Sequence, residues 1–159
     1  MTRFTQPKAK MGSQKWIQFL INENVEVINK QIRANLRLPE TEEVEWLSPL
    51  KSDDYSEYRD KSVLDLLEIT NDAFTVRDFW PDMGPQWDAI GRAANNVLLV
   101  EAKSHITEFI STCQAKQPES IAKINTSLQE TKVKLGCKTD FDWSKTFYQY
   151  ANRLAHINP

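Results

Sequence analysis

Val97-Leu98-Leu99-Val100-Glu101-Ala102-Lys103 is the stretch on which the fold turns. Four aliphatic residues, β-branched at both ends and too few for a helix of their own, predict a central strand buried on both faces. Residues two apart on a strand share a face, so Glu101 and Lys103 point where Leu99 and Val97 point. Two charged side chains closing an aliphatic strand are costly unless they are paired, solvated or holding a metal ion.

Upstream, Ala93–Asn96 supplies turn residues, and Trp87-Asp88-Ala89-Ile90 precedes them. A hairpin through that turn sets Asp88 beside Glu101, and cross-strand neighbours lie about 5 Å apart. Two carboxylates at that range repel unless a cation sits between them. Oxygen-only ligands with open positions favour magnesium or manganese. Further back, Phe74, Val76, Asp78 and Trp80 alternate, and Pro81-Asp82-Met83-Gly84-Pro85 is turn chemistry. Three successive strands joined by tight turns predict an antiparallel meander.

Helical patterns flank this region. Ile17, Ile21, Val25, Ile28 and Ile32 recur at three and four residues and stop before Pro39, predicting a helix over 14–36. Residues 1–13, polar and basic with Pro7 and Gly12, predict a flexible arm. Glu43–Leu47 alternates as a short strand does. Tyr55, Tyr58, Ser62 and Leu66 give a stripe for a helix over 53–68, with Asp53 and Asp54 at its positive end. Pro118 suits a first helical position, and Gly136 suits the residue past a helix end after the stripe Ile121, Ile124, Leu128 and Leu135. Asp142 or Ser144 is placed to cap a last helix bearing Phe147, Tyr150, Ala151 and Leu154. The order predicts an α+β fold in a single domain over 1–159.

The chain has 159 residues with 40% apolar composition, which excludes a disordered chain and is enough for one core. No apolar run approaches the roughly 20 residues of a membrane helix, so a cytoplasmic protein without a membrane partner is expected. Cys113 and Cys137 stand 24 apart without a CxxC partner, which excludes a zinc knuckle or disulfide framework. Twenty basic and 22 acidic residues give net −2, so any attraction for phosphodiesters must be local or come through a metal ion.

An acid-x-Lys tripeptide alone is worth little, since chance alone gives about two in a chain of this composition. Two occur, Glu101-Ala102-Lys103 and Glu130-Thr131-Lys132, and the second lies in a helical pattern. What distinguishes the first is the aliphatic strand it ends and an aspartate 13 residues upstream on an adjoining strand. Gly-Pro-Gln-Trp-Asp88 and Val-Leu-Leu-Val-Glu101-Ala-Lys103, with 12 residues between Asp88 and Glu101, resemble the PD-(D/E)xK nuclease superfamily.

That resemblance implies a restriction-endonuclease-like αβββαβ core of α/β/α layers, with a mixed central sheet and flanking helices, over 53–157. No final strand is evident before His156-Ile157-Asn158-Pro159, so the fourth core strand lies elsewhere or is lacking. The resemblance further implies magnesium-dependent hydrolysis of phosphodiesters, with manganese as substitute and DNA preferred to RNA. Asp88 and Glu101 would be the metal carboxylates, the Ala102 carbonyl a further ligand, and Lys103 would orient or help deprotonate the attacking water. An additional acid from the first core helix falls on Glu57. Trp87 stands where the pattern has proline, and Gln149 is followed four residues later by Arg153 rather than tyrosine. His105, Gln149 and Arg153 are candidate substrate contacts, and paired subunits would suit double-strand cutting. Two other readings stand beside this one: a non-catalytic binding or scaffold module of the same fold, and an unrelated α+β domain whose charged strand end is structural. Phe147, Tyr148 and Tyr150 read mostly as core, and the lysines at 116–138 as a solvated helix face.

Overall fold

The computed structural model describes residues 3–70 and 76–157. Among them the fold is α+β, with six helices and two small antiparallel sheets. The chain divides into two compact units, residues 1–69 with 86–104, and residues 70–85 with 105–159. The expected 53–157 core therefore draws on both units, and the N-terminal helices belong with the first.

In the first unit, β1 (Arg3–Phe4) is followed by α1 (Gly12–Glu23), α2 (Val25–Leu36), β2 (Val44–Ser48), β3 (Glu57–Tyr58), α3 (Lys61–Leu66), β4 (Ala89–Ala93) and β5 (Asn96–Val100). The expected 14–36 helix is two helices, broken at Asn24, whose backbone leaves the helical region. Asparagine competes with the helix backbone for hydrogen bonds. Nearby Asn22 draws the end of α1 toward the 49–51 loop, donating to the Pro49 carbonyl at 2.8 Å and accepting from Lys51 N–H at 2.7 Å. The apolar stripe survives the break. Ile17 and Ile21 on α1 are buried with Val44, Trp46, Ala89, Ala93 and Leu98, and Ile28 and Ile32 on α2 pack against the same cluster.

The three-stranded sheet runs β2-β4-β5, every pair antiparallel. Alternation along β4 sends Ala89 and Ala93 to the α1/α2 face and Ile90 to the opposite face, where Tyr58, Val63, Leu67 and Trp87 gather. Three sequence expectations are corrected here. First, β5 is an edge strand with Val97 45% exposed, and the central strand is β4. Small residues make β4 central: Gly91 pairs with Trp46, and a Cβ there would stand 2.6 Å from the Glu45 carbonyl oxygen. Second, the meander's third strand is β2, while Val76–Phe79 forms a short helix; Phe74 lies outside the described residues. Third, no mixed sheet forms among the described residues. The one parallel pairing among the described residues is the isolated Ser111–Phe147 bridge.

The helix expected over 53–68 is likewise replaced. A 3-10 turn spans Lys51–Asp53, Glu57 and Tyr58 form β3, and only Lys61–Leu66 is α-helical. Asp53 does not cap a helix; it accepts from the Tyr58 hydroxyl and is ion-paired with Arg3. That clamp and the β1–β3 pairing give part of the expected flexible arm a fixed place. Burial and the Asp53 carboxylate push the Tyr58 hydroxyl up to about 12.

In the second unit, α4 (Val76–Phe79), α5 (Pro118–Lys134) and α6 (Tyr148–His156) surround Trp80, Ile124, Leu128, Ala151 and Ala155. Pro118 opens α5 and Gly136, at φ 65°, follows its end, as the sequence predicts. Neither Asp142 nor Ser144 caps α6. Asp142 accepts from Ser144 at 2.9 Å and 2.6 Å, and the Ser111 hydroxyl caps α6 by accepting from Gln149 N–H at 2.9 Å. Of the three aromatics read as core, Tyr148 packs against this cluster, while Phe147 and Tyr150 are 46% and 57% exposed. Among the described residues no helix is long and apolar enough to cross a membrane.

Candidate functional site

The β4–β5 register decides what the strand ends bring together. Ala93 pairs with Asn96 across the turn and Ala89 with Val100, the last pair of the ladder, which leaves Asp88 and Glu101 as the residues just beyond it. At Asp88 the pairing slips by one residue, as at a bulge: Asp88 N–H donates to the Val100 carbonyl at 3.0 Å, the residue that Ala89 already faces. Across the hairpin, Ala102 N–H donates to Asp88 Oδ2 at 2.7 Å. The Lys103 ammonium pairs with Glu101 Oε1, both side chains being largely buried.

Glu57 comes to the same place by another route. Trp87 N–H donates to the Tyr58 carbonyl at 3.1 Å, a single bridge that lays β3 beside the residue preceding Asp88. Glu57, 6% exposed, is held by three side-chain amides: Gln86 at 2.5 Å and Gln6 at 3.4 Å on Oε2, and Gln14 at 3.2 Å on Oε1. Hydrogen bonds from neutral amides satisfy a buried carboxylate without neutralising it. Sequence reasoning singled out Glu57 but assigned it to a helix, and it missed all three glutamines. Their positions at 6, 14 and 86 form no local pattern.

Electrostatics mark Asp88. Burial, followed by the negative charge of Glu101, pushes its carboxyl up to about 6, with Glu57 adding to the effect and the Ala102 N–H and Lys103 opposing it. Glu101, Glu57 and Lys103 thus all act on Asp88 within one unit. Among the described residues, no group of three or more His, Cys, Asp or Glu side chains is arranged to hold a metal ion. The oxygen donors at the strand ends are two carboxylates and the Ala102 carbonyl. Carboxylate and carbonyl oxygens are the donor type that magnesium and manganese ions take.

The chain matches no known protein family, curated protein or solved structure. The resemblance to PD-(D/E)xK nucleases therefore rests on the residues themselves.

The other candidates fall in the second unit. His105 is exposed and precedes the 3-10 turn Ile106–Phe109. Gln149 and Arg153 stand one turn apart on α6, and Arg153 donates to Asn152 Oδ1 at 2.7 Å. The lysine stretch at 116–138 is not simply a solvated face. Lys132 is buried with its ammonium on the Phe141 carbonyl, and Lys123 donates to the Arg77 carbonyl at 2.7 Å.

Proposed function

We propose that this chain is a metal-dependent nuclease that hydrolyses phosphodiesters of nucleic acid, DNA in preference to RNA, through Asp88, Glu101 and Lys103. The observation that carries this reading is the end of the β4–β5 hairpin, where Ala102 N–H holds the Asp88 carboxylate, Glu101 acts on its charge and Lys103 pairs with Glu101. Asp88, Glu101 and the Ala102 carbonyl would hold magnesium, or manganese in its place. When bound, the ion supplies charge neutralisation at the phosphate and a water of lowered pKa.

The chain's own residues have distinct tasks. Ala102 N–H fixes the Asp88 carboxylate, so that it is aimed before any ligand arrives. Lys103, paired with Glu101, brings a positive donor to the strand end, where it can orient a water and offset charge on the phosphate oxygens. Glu57, anchored by its glutamines, adds negative potential at Asp88 and serves as the additional acid. The finer αβββαβ assignment belongs with this proposal and is supported by helices α1 and α2 on one face of the sheet and α3 residues on the other. The test is magnesium-dependent cleavage of DNA that is lost in Lys103→Ala and Asp88→Asn.

One observation favours a second reading, a non-catalytic module of the same fold: Lys103 is engaged by Glu101, and no three-carboxylate cluster forms among the described residues. Magnesium binding without cleavage would select that reading.

A further inference from the structure

The nuclease reading needs a local attraction for a polyanion, and the first 22 residues offer one. They carry Arg3, Lys8, Lys10 and Lys15 and no acidic residue, in a chain of net −2. Two of these cations are already engaged, Arg3 by Asp53 and Lys8 by Glu23 at 2.6 Å. Lys10 and Lys15 are exposed. Beside Lys15 stands Trp16, 55% exposed, with the Lys15 ammonium 5.5 Å from its ring centroid and the Phe19 ring 6.2 Å away edge-on. Behind them a groove of about 150 Å³ is lined by Lys8, Ala9, Lys15, Gln18, Phe19, Tyr55 and Glu23, the last paired with Lys8.

This segment also borders the carboxylate site. Gln6 and Gln14, on either side of Lys10, are two of the three side chains that hold Glu57. A ligand lying along the segment is thus carried toward the candidate site.

We infer that Lys8–Phe19 is the docking face for an unpaired polynucleotide strand, with Lys10 and Lys15 on its phosphates and a base stacked at Trp16. This rests on the nuclease reading for its purpose, though not for its test. Charge complementarity selects a polyanion. The exposed indole selects an unpaired strand, because a free base has a π-face to offer and a base inside a duplex is already stacked. Lys15 and Trp16 are close enough for one nucleotide to use both, as charge and aromatic surface combine in single-strand binding.

The test is fluorescence anisotropy of a labelled single-stranded oligodeoxynucleotide with the full chain in EDTA, so that cleavage plays no part. Lys10→Ala/Lys15→Ala should weaken binding about tenfold or more and make the log Kd against log salt slope shallower by about 1.4. Trp16→Ala should weaken it by about fivefold or more with the slope unchanged. The second unit's Lys138→Ala/Lys145→Ala should bind as the original does. Thermal unfolding of each variant, with Lys10→Gln/Lys15→Gln as a second pair, separates lost binding from lost folding. No binding by the original chain, unchanged binding by the lysine variants, or an unlabelled duplex competing as well as the single strand would overturn the inference. Failure here together with magnesium-dependent cleavage would leave the nuclease reading standing. Binding as described without cleavage would do the reverse.

Discussion

Asp88 and Ala102 are joined across the mouth of the β4–β5 hairpin, the Ala102 N–H donating to Asp88 Oδ2 at 2.7 Å. One amide thus holds a carboxylate that burial and Glu101 make reluctant to ionise. The bond supports the charged form, and the surroundings oppose it more strongly.

This conflict is measurable as a pH dependence. Asp88 titrates at about 6 in the folded chain against 3.8 for an ordinary aspartate. Its folded value lies above its unfolded one, so between about pH 4 and pH 6 stability falls as pH rises. Asp88→Asn, which keeps an acceptor for Ala102 N–H and removes the charge, is expected to be more stable than the original at pH 8. The gain is up to about 3 kcal/mol and disappears near pH 4. Urea unfolding across that range checks it. Millimolar magnesium should narrow the gap by favouring ionised Asp88.

His156 has the opposite slope. Its ring lies 4.7 Å from Trp80 and 5.2 Å from Phe79, Nδ1 donates to the Asn152 carbonyl at 2.7 Å, and burial lowers its pKa to about 4. The folded chain holds it neutral, so this contribution is complete above the ordinary value of 6.5 and is lost as pH falls toward 4. His156→Phe is expected to remove up to about 3 kcal/mol of acid sensitivity. Unfolding followed through Trp80 and Trp143 fluorescence between pH 4 and 7 would show it, and an unchanged slope would contradict it.

Gln86 holds the buried Glu57 carboxylate. Gln86→Leu removes a donor from a charged group and is expected to cost about 1–3 kcal/mol. Glu57→Gln combined with Gln86→Leu should cost less than the two single changes together, because the groups share one network. Additive costs in chemical denaturation would contradict the network.

Gly91 lies in the central strand under Trp46, whose Nε1–H donates to the buried Asn29 Oδ1 at 2.8 Å. A Cβ at 91 would meet the Glu45 carbonyl at 2.6 Å and the Trp46 ring at 3.1 Å. Backbone must move to admit it, so Gly91→Ala is expected to cost about 1–3 kcal/mol, read as a lowered midpoint of unfolding.

The sequence made the hairpin legible because its cues are local: a two-residue turn between Ala93 and Asn96 flanked by apolar runs. Helix α5 was legible for the same reason, through Pro118 and Gly136. The strand order was not. Val97–Val100 looks like a central strand because it is bulky and aliphatic, yet Ala89, Gly91 and Ala93 occupy the centre, where smallness lets Trp46 and α1 approach. Glu57 was misplaced because Tyr55, Tyr58 and Leu66 fall at helical spacing, while pairing of Tyr58 with Arg3 and Trp87 imposes a strand. Long-range pairing overrode a local pattern. The glutamines around Glu57 come from three separate stretches of chain, and no spacing could have announced them.

The most direct measurement is cleavage of single- and double-stranded DNA by the purified chain in magnesium, beside Lys103→Ala and Asp88→Asn. The account expects magnesium-dependent cleavage by the original chain, abolished by EDTA and reduced by about a hundredfold or more in either variant. Cleavage that persists unchanged in both variants, or none at all from a folded chain that binds magnesium, would contradict it.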